Sequence, residues 1–250
     1  MNAPATIVVG GGIAGLYSAL RLTKRGDRVT IVDAEASVGG LTRPWEIGGI
    51  TWDRFYHVIL ESDRRTRGLL AEIGLTANLE FKPVKTAFFT GGKLHPFSSV
   101  RDFLVFPELG MFDKTRLIAT ILHARQFGAN DASDRESVVR YLRAWSGENA
   151  FERVWKPLLR AKLGERYPEA SAAFIQATIK RLQGTRRHGF REERYGYVSG
   201  GYATILAALE AKLRHLGVTF ILGSRVRAVI SHGDRVSVAT ENATLSGDRA

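Results

Sequence analysis

The chain has 250 residues, 44% apolar and 24% charged, which suits a soluble globular protein with one or two cored domains. It contains no cysteine, which excludes disulfides, thiolate metal sites and cysteine nucleophiles and fits a reducing, cytoplasmic setting. Formal charge is +11, with 17 basic against 10 acidic residues between Thr86 and Phe190; an anionic substrate, an anionic membrane surface or a solvated basic face each fits, and nucleic acid fits least because no binding motif accompanies the charge.

Ala5 to Val9 is an apolar run that reads as a strand. Met1 to Pro4 leads straight into it, so no signal peptide is expected, and no apolar run of about 18 residues predicts a membrane span. Gly10, Gly12 and Gly15 follow as Gly-x-Gly-x-x-Gly, and a helical pattern opens at Ile13 and Ala14. A second strand, Val29 to Val32, ends in Asp33. Strand, glycines, helix and an acid about 20 residues on form a dinucleotide-binding fingerprint. Gly10 permits the tight turn, Gly12 a close approach to pyrophosphate, and Gly15 close packing of helix on strand. The helix N-terminus offers free N–H groups to phosphates. Asp33 can accept from a ribose hydroxyl and would repel a 2′-phosphate.

Gly39-Gly40 comes next, then a predicted helix from Asp63 to Ile73 stopped by Gly74. Thr86 to Phe89 and Lys93 to Pro96 predict a hairpin around Gly91-Gly92. Helices follow: one capped by Asp113 through Leu122, one started by Ser133 or Asp134 through Leu142, one from Glu148 to Leu163 bent at Pro157, and one from Ala170 to Leu182. Gly200-Gly201 introduces a helix from Tyr202 to Leu216, and strands are predicted at Val218–Leu222, Val226–Val229 and Arg235–Ala239. The expected fold is α/β: a discontinuous Rossmann-like domain from 1–85 and 191–250, interrupted by a mainly helical substrate or cap domain from 86–190. The histidines are dispersed, so no metal site is expected, and neither a Gly-x-Ser-x-Gly elbow nor a phosphate-binding Gly-x-x-x-x-Gly-Lys loop is present.

Gly39-Gly40-Leu41-Thr42-Arg43, Gly48-Gly49-Ile50-Thr51-Trp52-Asp53 with His57, Trp155-Lys156-Pro157-Leu158-Leu159 and Tyr195 to Tyr202 together resemble blocks of the FAD-dependent amine oxidase superfamily. The branch they resemble holds protoporphyrinogen-oxidase-like and carotenoid-desaturase-like enzymes. The resemblance implies a glutathione-reductase-like FAD-binding domain with FAD extended along it. Pyrophosphate would lie on Gly10 to Gly15, including Ile13 and Ala14. The adenosine ribose would lie on Asp33 and Ala34, and the cofactor would run beside Gly39, Gly40, Leu41, Thr42 and Arg43, with Val226 near the adenine. The helical insertion would roof a substrate cavity. His57 could face the flavin, as a histidine does in the related UDP-galactopyranose mutases, or be structural. Tyr197 and Tyr202 are candidates to line the substrate site, although Tyr197 and Trp155 read more readily as core or cavity lining than as chemistry. Lys156 could face an anionic substrate or cap a helix, and Asp53 reads as a loop-fixing residue.

Family members are longer, and the resemblance implies that their last cofactor-contacting block lies beyond Ala250, so weak or no FAD binding and little activity are expected of 1–250 alone. Three functions are weighed. The first is an FAD-dependent oxidoreductase, an oxidase or desaturase taking hydride from a small apolar or anionic substrate. The second is a mutase-like isomerase on reduced FAD, and the third a non-catalytic nucleotide-binding module. A peripheral membrane location fits the first. Oligomeric state is not legible.

Overall fold

A computed structural model describes residues 3–55, 58–183 and 193–250. In chain order it contains β1 (Ala5–Val9), α1 (Ile13–Lys24), β2 (Arg28–Val32), β3 (Trp45–Ile47), β4 (Ile50–Trp52), α2 (Arg64–Glu72), β5 (Leu79–Pro83), β6 (Ala87–Thr90) and β7 (Lys93–Pro96). Then come α3 (Val100–Val105), α4 (Met111–Phe127), α5 (Asp131–Arg135), α6 (Val138–Ser146), α7 (Glu148–Ala150), α8 (Lys156–Leu163) and α9 (Ala172–Gln183). The chain closes with β8 (Arg194–Val198), α10 (Gly201–His215), β9 (Thr219–Ile221), β10 (Val226–His232), β11 (Arg235–Thr240) and β12 (Thr244–Gly247). It divides into two units: Met1–Ile59 with Arg64–Glu80 and Gly196–Ala250, and Leu60–Asp63 with Phe81–Tyr195.

The first unit is built on a parallel sheet in the order β1-β2-β9. Its strands are rich in Val, Ile and Thr, whose branched side chains suit a pleated surface covered on both faces. Ala5 pairs with Arg28 and Val9 with Val32, and Thr30 pairs with Thr219. On one face α1 buries Leu16, Ala19 and Leu20, at the i, i+3, i+4 spacing of a helical stripe, against Leu206, Leu209 and Leu213 of α10. The other face buries Ile7 and Val32 with Val238 of the antiparallel meander β10-β11-β12. The outer edge of β1 is taken by the last residues of the chain: Ile7 donates to the Arg249 carbonyl (2.9 Å) and Asp248 donates to the Ala5 carbonyl (2.7 Å).

The second unit is mainly helical, around Tyr141, Leu142, Phe151, Trp155, Ile175 and Ile179. Several helix starts differ from the sequence expectation. The N-cap of α4 is Gly110, and Asp113 sits in the first turn, where its carboxylate accepts from Asn149 Nδ2 (2.7 Å). A break after Arg135 gives two helices in place of one. Asn130 caps α5 through a reciprocal pair of bonds with Ser133, and Ser137 caps α6. From Glu148 to Leu163 the helical run is continuous, but it passes through a π-helical stretch, Phe151–Trp155, just before Pro157. A proline ring collides with the carbonyl four residues earlier in a regular α-helix. The wider π turn relieves that collision, so the helical assignment runs through Pro157 without a break.

Candidate functional site

The glycine-rich turn is formed between β1 and α1. Gly10 has φ +103° and donates to the Val32 carbonyl (2.8 Å). A Cβ on Gly15 would lie 1.9 Å from the Gly10 carbonyl oxygen, so only glycine lets α1 sit this close to the turn. Gly12 caps α1 in an extended conformation, with no side-chain cap and no acid in the first turn. Ile13 and Ala14 follow as the first helical residues. A Cβ on Gly12 would meet nothing nearer than Gly40 Cα at 3.9 Å. The fold itself therefore leaves room for a Cβ at Gly12, and nothing within the protein demands glycine there. An uncapped helix N-terminus with no acid in its first turn suits an anion. These residues fit the pyrophosphate of a dinucleotide.

The second glycine pair lies against the first. Gly39 donates to the Gly11 carbonyl (2.8 Å), and Gly12 and Gly39 form an isolated parallel bridge. A Cβ on Gly39 would lie 2.7 Å from Leu206 Cδ1, and one on Gly40 would lie 3.2 Å from Gly12 Cα. Thr42 donates from Oγ1 (2.7 Å) and from N (2.9 Å) to the Gly39 carbonyl. Leu41 is exposed. Arg43 Nη1 is 2.8 Å from Glu35 Oε2, so its guanidinium already has an anionic partner.

Asp33 is half-buried at the end of β2. Its Oδ2 accepts the Gly11 N–H and its Oδ1 accepts the Glu35 N–H (2.8 Å). A carboxylate oxygen accepts two hydrogen bonds, so one acceptor position on each remains for ribose hydroxyls. The carboxylate thus shapes the glycine turn while keeping acceptor capacity in reserve. Ala34 is exposed beside it. Ser224 donates to the Asp33 carbonyl and Gly223 to the Glu35 carbonyl (both 2.8 Å), which brings the segment leading into Val226 and β10 against this end of the sheet.

Tyr197 and Tyr202 line one small concavity of the first unit with Asp53, Ile59, Gly201 and Ile205. Asp53 Oδ1 accepts the Tyr202 N–H (2.9 Å) at the start of α10. His57 lies outside the described residues. In the second unit Trp155 is buried, and its indole N–H donates to Ser146 Oγ (2.8 Å), which also pairs with Thr120 Oγ1 (2.8 Å). Lys156 is ion-paired with Glu152. Among the described residues no cluster of His, Cys, Asp and Glu could hold a metal, and no helix is long and apolar enough to cross a membrane. Glu35 as the partner of Arg43, and Leu206 as the side chain that demands Gly39, lie beyond what the sequence pattern exposed; both contacts link segments whose approach no local spacing encodes.

The carotenoid phi-ring synthase of Streptomyces griseus is 30% identical over 131 residues, 46% of this chain and 25% of the relative. Protoporphyrinogen oxidase 2 of Arabidopsis thaliana is 35% identical over 74 residues, 30% of this chain and 15% of the relative. Cyclohexylamine oxidase from Brevibacterium oxydans shares the fold, with a TM-score of 0.75 at 19% identity, covering 98% of this chain and 56% of that one. The chain thus spans little more than half of that oxidase. Residues 13–250 match the model of the flavin containing amine oxidoreductases; the chain belongs to that family, and its cofactor is FAD.

Proposed function

We propose that this chain carries the FAD-binding part of an oxidoreductase that oxidises or desaturates a small organic substrate. The observation that carries the reading is the open cradle at Gly12, bounded by Gly40 and by the uncapped N-terminus of α1, with Asp33 at its far side. Bound FAD supplies the hydride-accepting ring. The Gly10 to Gly15 turn holds the pyrophosphate through the N–H groups at the start of α1, those of Gly10 and Gly11 being spent on Val32 and Asp33, and Asp33 with Ala34 takes the adenosine ribose. Gly39 to Arg43 form the wall beside the cofactor, and Val226 lies at the adenine end. Arg43 holds Glu35 and so keeps this acidic end of the cradle folded. Tyr197 and Tyr202 offer aromatic surface to the substrate.

An apolar substrate is favoured by the company the chain keeps, since one relative is named for a carotenoid and another for a protoporphyrinogen. The basic second unit leaves an anionic group on that substrate open. Peripheral contact with a membrane surface follows the same reasoning. No specific observation favours the isomerase alternative, whose marker His57 lies outside the described residues.

FAD titration of the chain, read by quenching of flavin fluorescence and by the visible spectrum, tests the reading. Saturable binding displaced by ADP is expected, because the cradle holds the adenosine and diphosphate half. A chain that stays colourless at all FAD concentrations overturns it.

A further inference from the structure

The helix α10 begins without a cap of its own. Its N-cap is Gly200, with φ +81° and no side-chain hydrogen bond. The capping oxygen comes from Asp53, 149 residues away in sequence, whose Oδ1 accepts the Tyr202 N–H at 2.9 Å. The seat is made for it: Gly201 has φ +69°, and a Cβ there would lie 2.7 Å from the same Oδ1. One turn further on, α10 carries Leu206, which is 5% exposed and packs with Leu16, Leu20 and Val38. Leu206 Cδ1 is the atom that a Cβ on Gly39 would strike at 2.7 Å. Gly39 in turn holds Gly11 through its N–H and Thr42 through its carbonyl. A continuous path of contacts, all within the first unit, therefore runs from Asp53 to the second glycine pair of the cradle.

We propose that Asp53 is a positioning residue for the dinucleotide cradle: by capping α10 from outside the helix it fixes where Leu206 meets Gly39, and so where Gly39 to Arg43 lie against Gly11 and Gly12. The carboxylate anchors the N-terminus of α10 by a hydrogen bond and by its charge at the positive end of the helix. Losing it frees the helix to slide along its axis, and Leu206 moves with it. That Gly39 to Arg43 border an FAD site rests on the function proposed above; the coupling from Asp53 to Gly39 does not.

Hydrogen exchange on the whole cofactor-free chain tests the coupling. In Asp53→Ala the amides of Gly39, Thr42 and Arg43 are expected to exchange about tenfold faster, the scale of a lost helix cap. Amides of β10 and β11 should be unchanged. Asp53→Asn keeps an oxygen in place and should return exchange at Gly39 to within about twofold of the parent. Leu206→Val leaves the cap intact and trims the side chain that meets Gly39; it should loosen Gly39 to Arg43 without loosening the first turn of α10, and if Asp53→Ala does not fold, Asp53→Glu, which moves the carboxylate off the Tyr202 N–H, takes its place. The proposal is overturned if Asp53→Ala loosens α10 alone, or if neither variant changes exchange at Gly39 to Arg43. FAD titration of the same proteins is the separate readout: a parent chain that takes no FAD retires the FAD reading while the exchange result still decides the positioning.

Discussion

At the scale of single residues, the glycines of the first turn have separable roles. Gly15 is demanded by the fold, since any Cβ would overlap the Gly10 carbonyl oxygen. Gly12 is not: its φ of −71° suits any residue, and the space around it is open. Gly15→Ala should therefore lower the melting temperature by roughly 5–10 °C, the size expected when a methyl is forced into a packed contact. Gly12→Ala should melt within about 2 °C of the parent, or slightly higher because alanine has less entropy to lose. It should nevertheless lose FAD affinity by roughly tenfold or more, about 1.4 kcal/mol. Differential scanning fluorimetry and flavin titration on the two variants check the pair. Equal FAD binding by Gly12→Ala and the parent would show that nothing approaches this glycine closely.

Charge acts at the same scale in Glu72, which lies beside Arg21 and Lys24, with Lys24 Nζ 2.7 Å away. Burial alone would raise its carboxyl, but the Lys24 ammonium and the Arg21 guanidinium outweigh that and hold it below the usual glutamate range. A carboxyl depressed in the folded state contributes stability that is fully present above its unfolded value, near pH 4–5, and is lost as pH falls through the lower folded value. Acid melts should show that loss setting in below about pH 4.5 in the parent and flattened in Glu72→Gln. Identical acid limbs in the two proteins would remove Glu72 from the account.

At the scale of elements, the second unit hangs on a buried polar contact. Trp155 of the π-helical stretch donates to Ser146 at the end of α6, and Ser146 also pairs with Thr120 of α4; Ser146 and Thr120 are both fully buried. Ser146→Ala would leave the indole N–H without a partner in an apolar surround, a cost of about 1–3 kcal/mol. A fall of roughly 2–10 °C in melting temperature follows, read by tryptophan fluorescence. No change would mean that water reaches the indole. Legibility divides at this scale too. The β1-α1-β2 unit, the Gly91-Gly92 hairpin and the 148–163 helical run were written in apolar period and turn glycines, which act within a few residues. The true starts of α4 and α5 were not: Gly110 offers no side-chain cap to read, and Asn130 takes the cap of α5 with Ser133 as its partner three residues on, where Ser133 and Asp134 had themselves been read as starts. In the candidate site the cradle glycines and Asp33 were legible because their spacing is short. The Arg43–Glu35 pair, the Asp53 cap and the Arg249 carbonyl beside β1 join distant segments and leave no periodic trace.

At the scale of the whole molecule, charge and apolar surface oppose each other. The hairpin of β3 and β4 turns at Gly48-Gly49 and pairs Trp45 with Trp52 and Ile47 with Ile50. Those four share one face, while Glu46 and Thr51 bond to each other on the other. The apolar face is largely exposed, with Arg54 over the Trp45 ring: Ile47 is 55% and Trp52 64% exposed. Such a ribbon favours association with another apolar surface, and the formal charge of +11 resists it by repulsion between copies. Salt shortens the reach of that repulsion, to about 3 Å at 1 M from about 10 Å at 0.1 M, and leaves the apolar attraction intact. Sedimentation velocity should therefore show association that rises with added salt, the reverse of an interface held by ion pairs. Ile47→Lys with Ile50→Glu places opposite charges across the strand pair, keeps the net charge, and should hold the chain monomeric at high salt. A parent that stays monomeric at every salt concentration, or that dissociates as salt rises, would mean that this face is not what draws copies together.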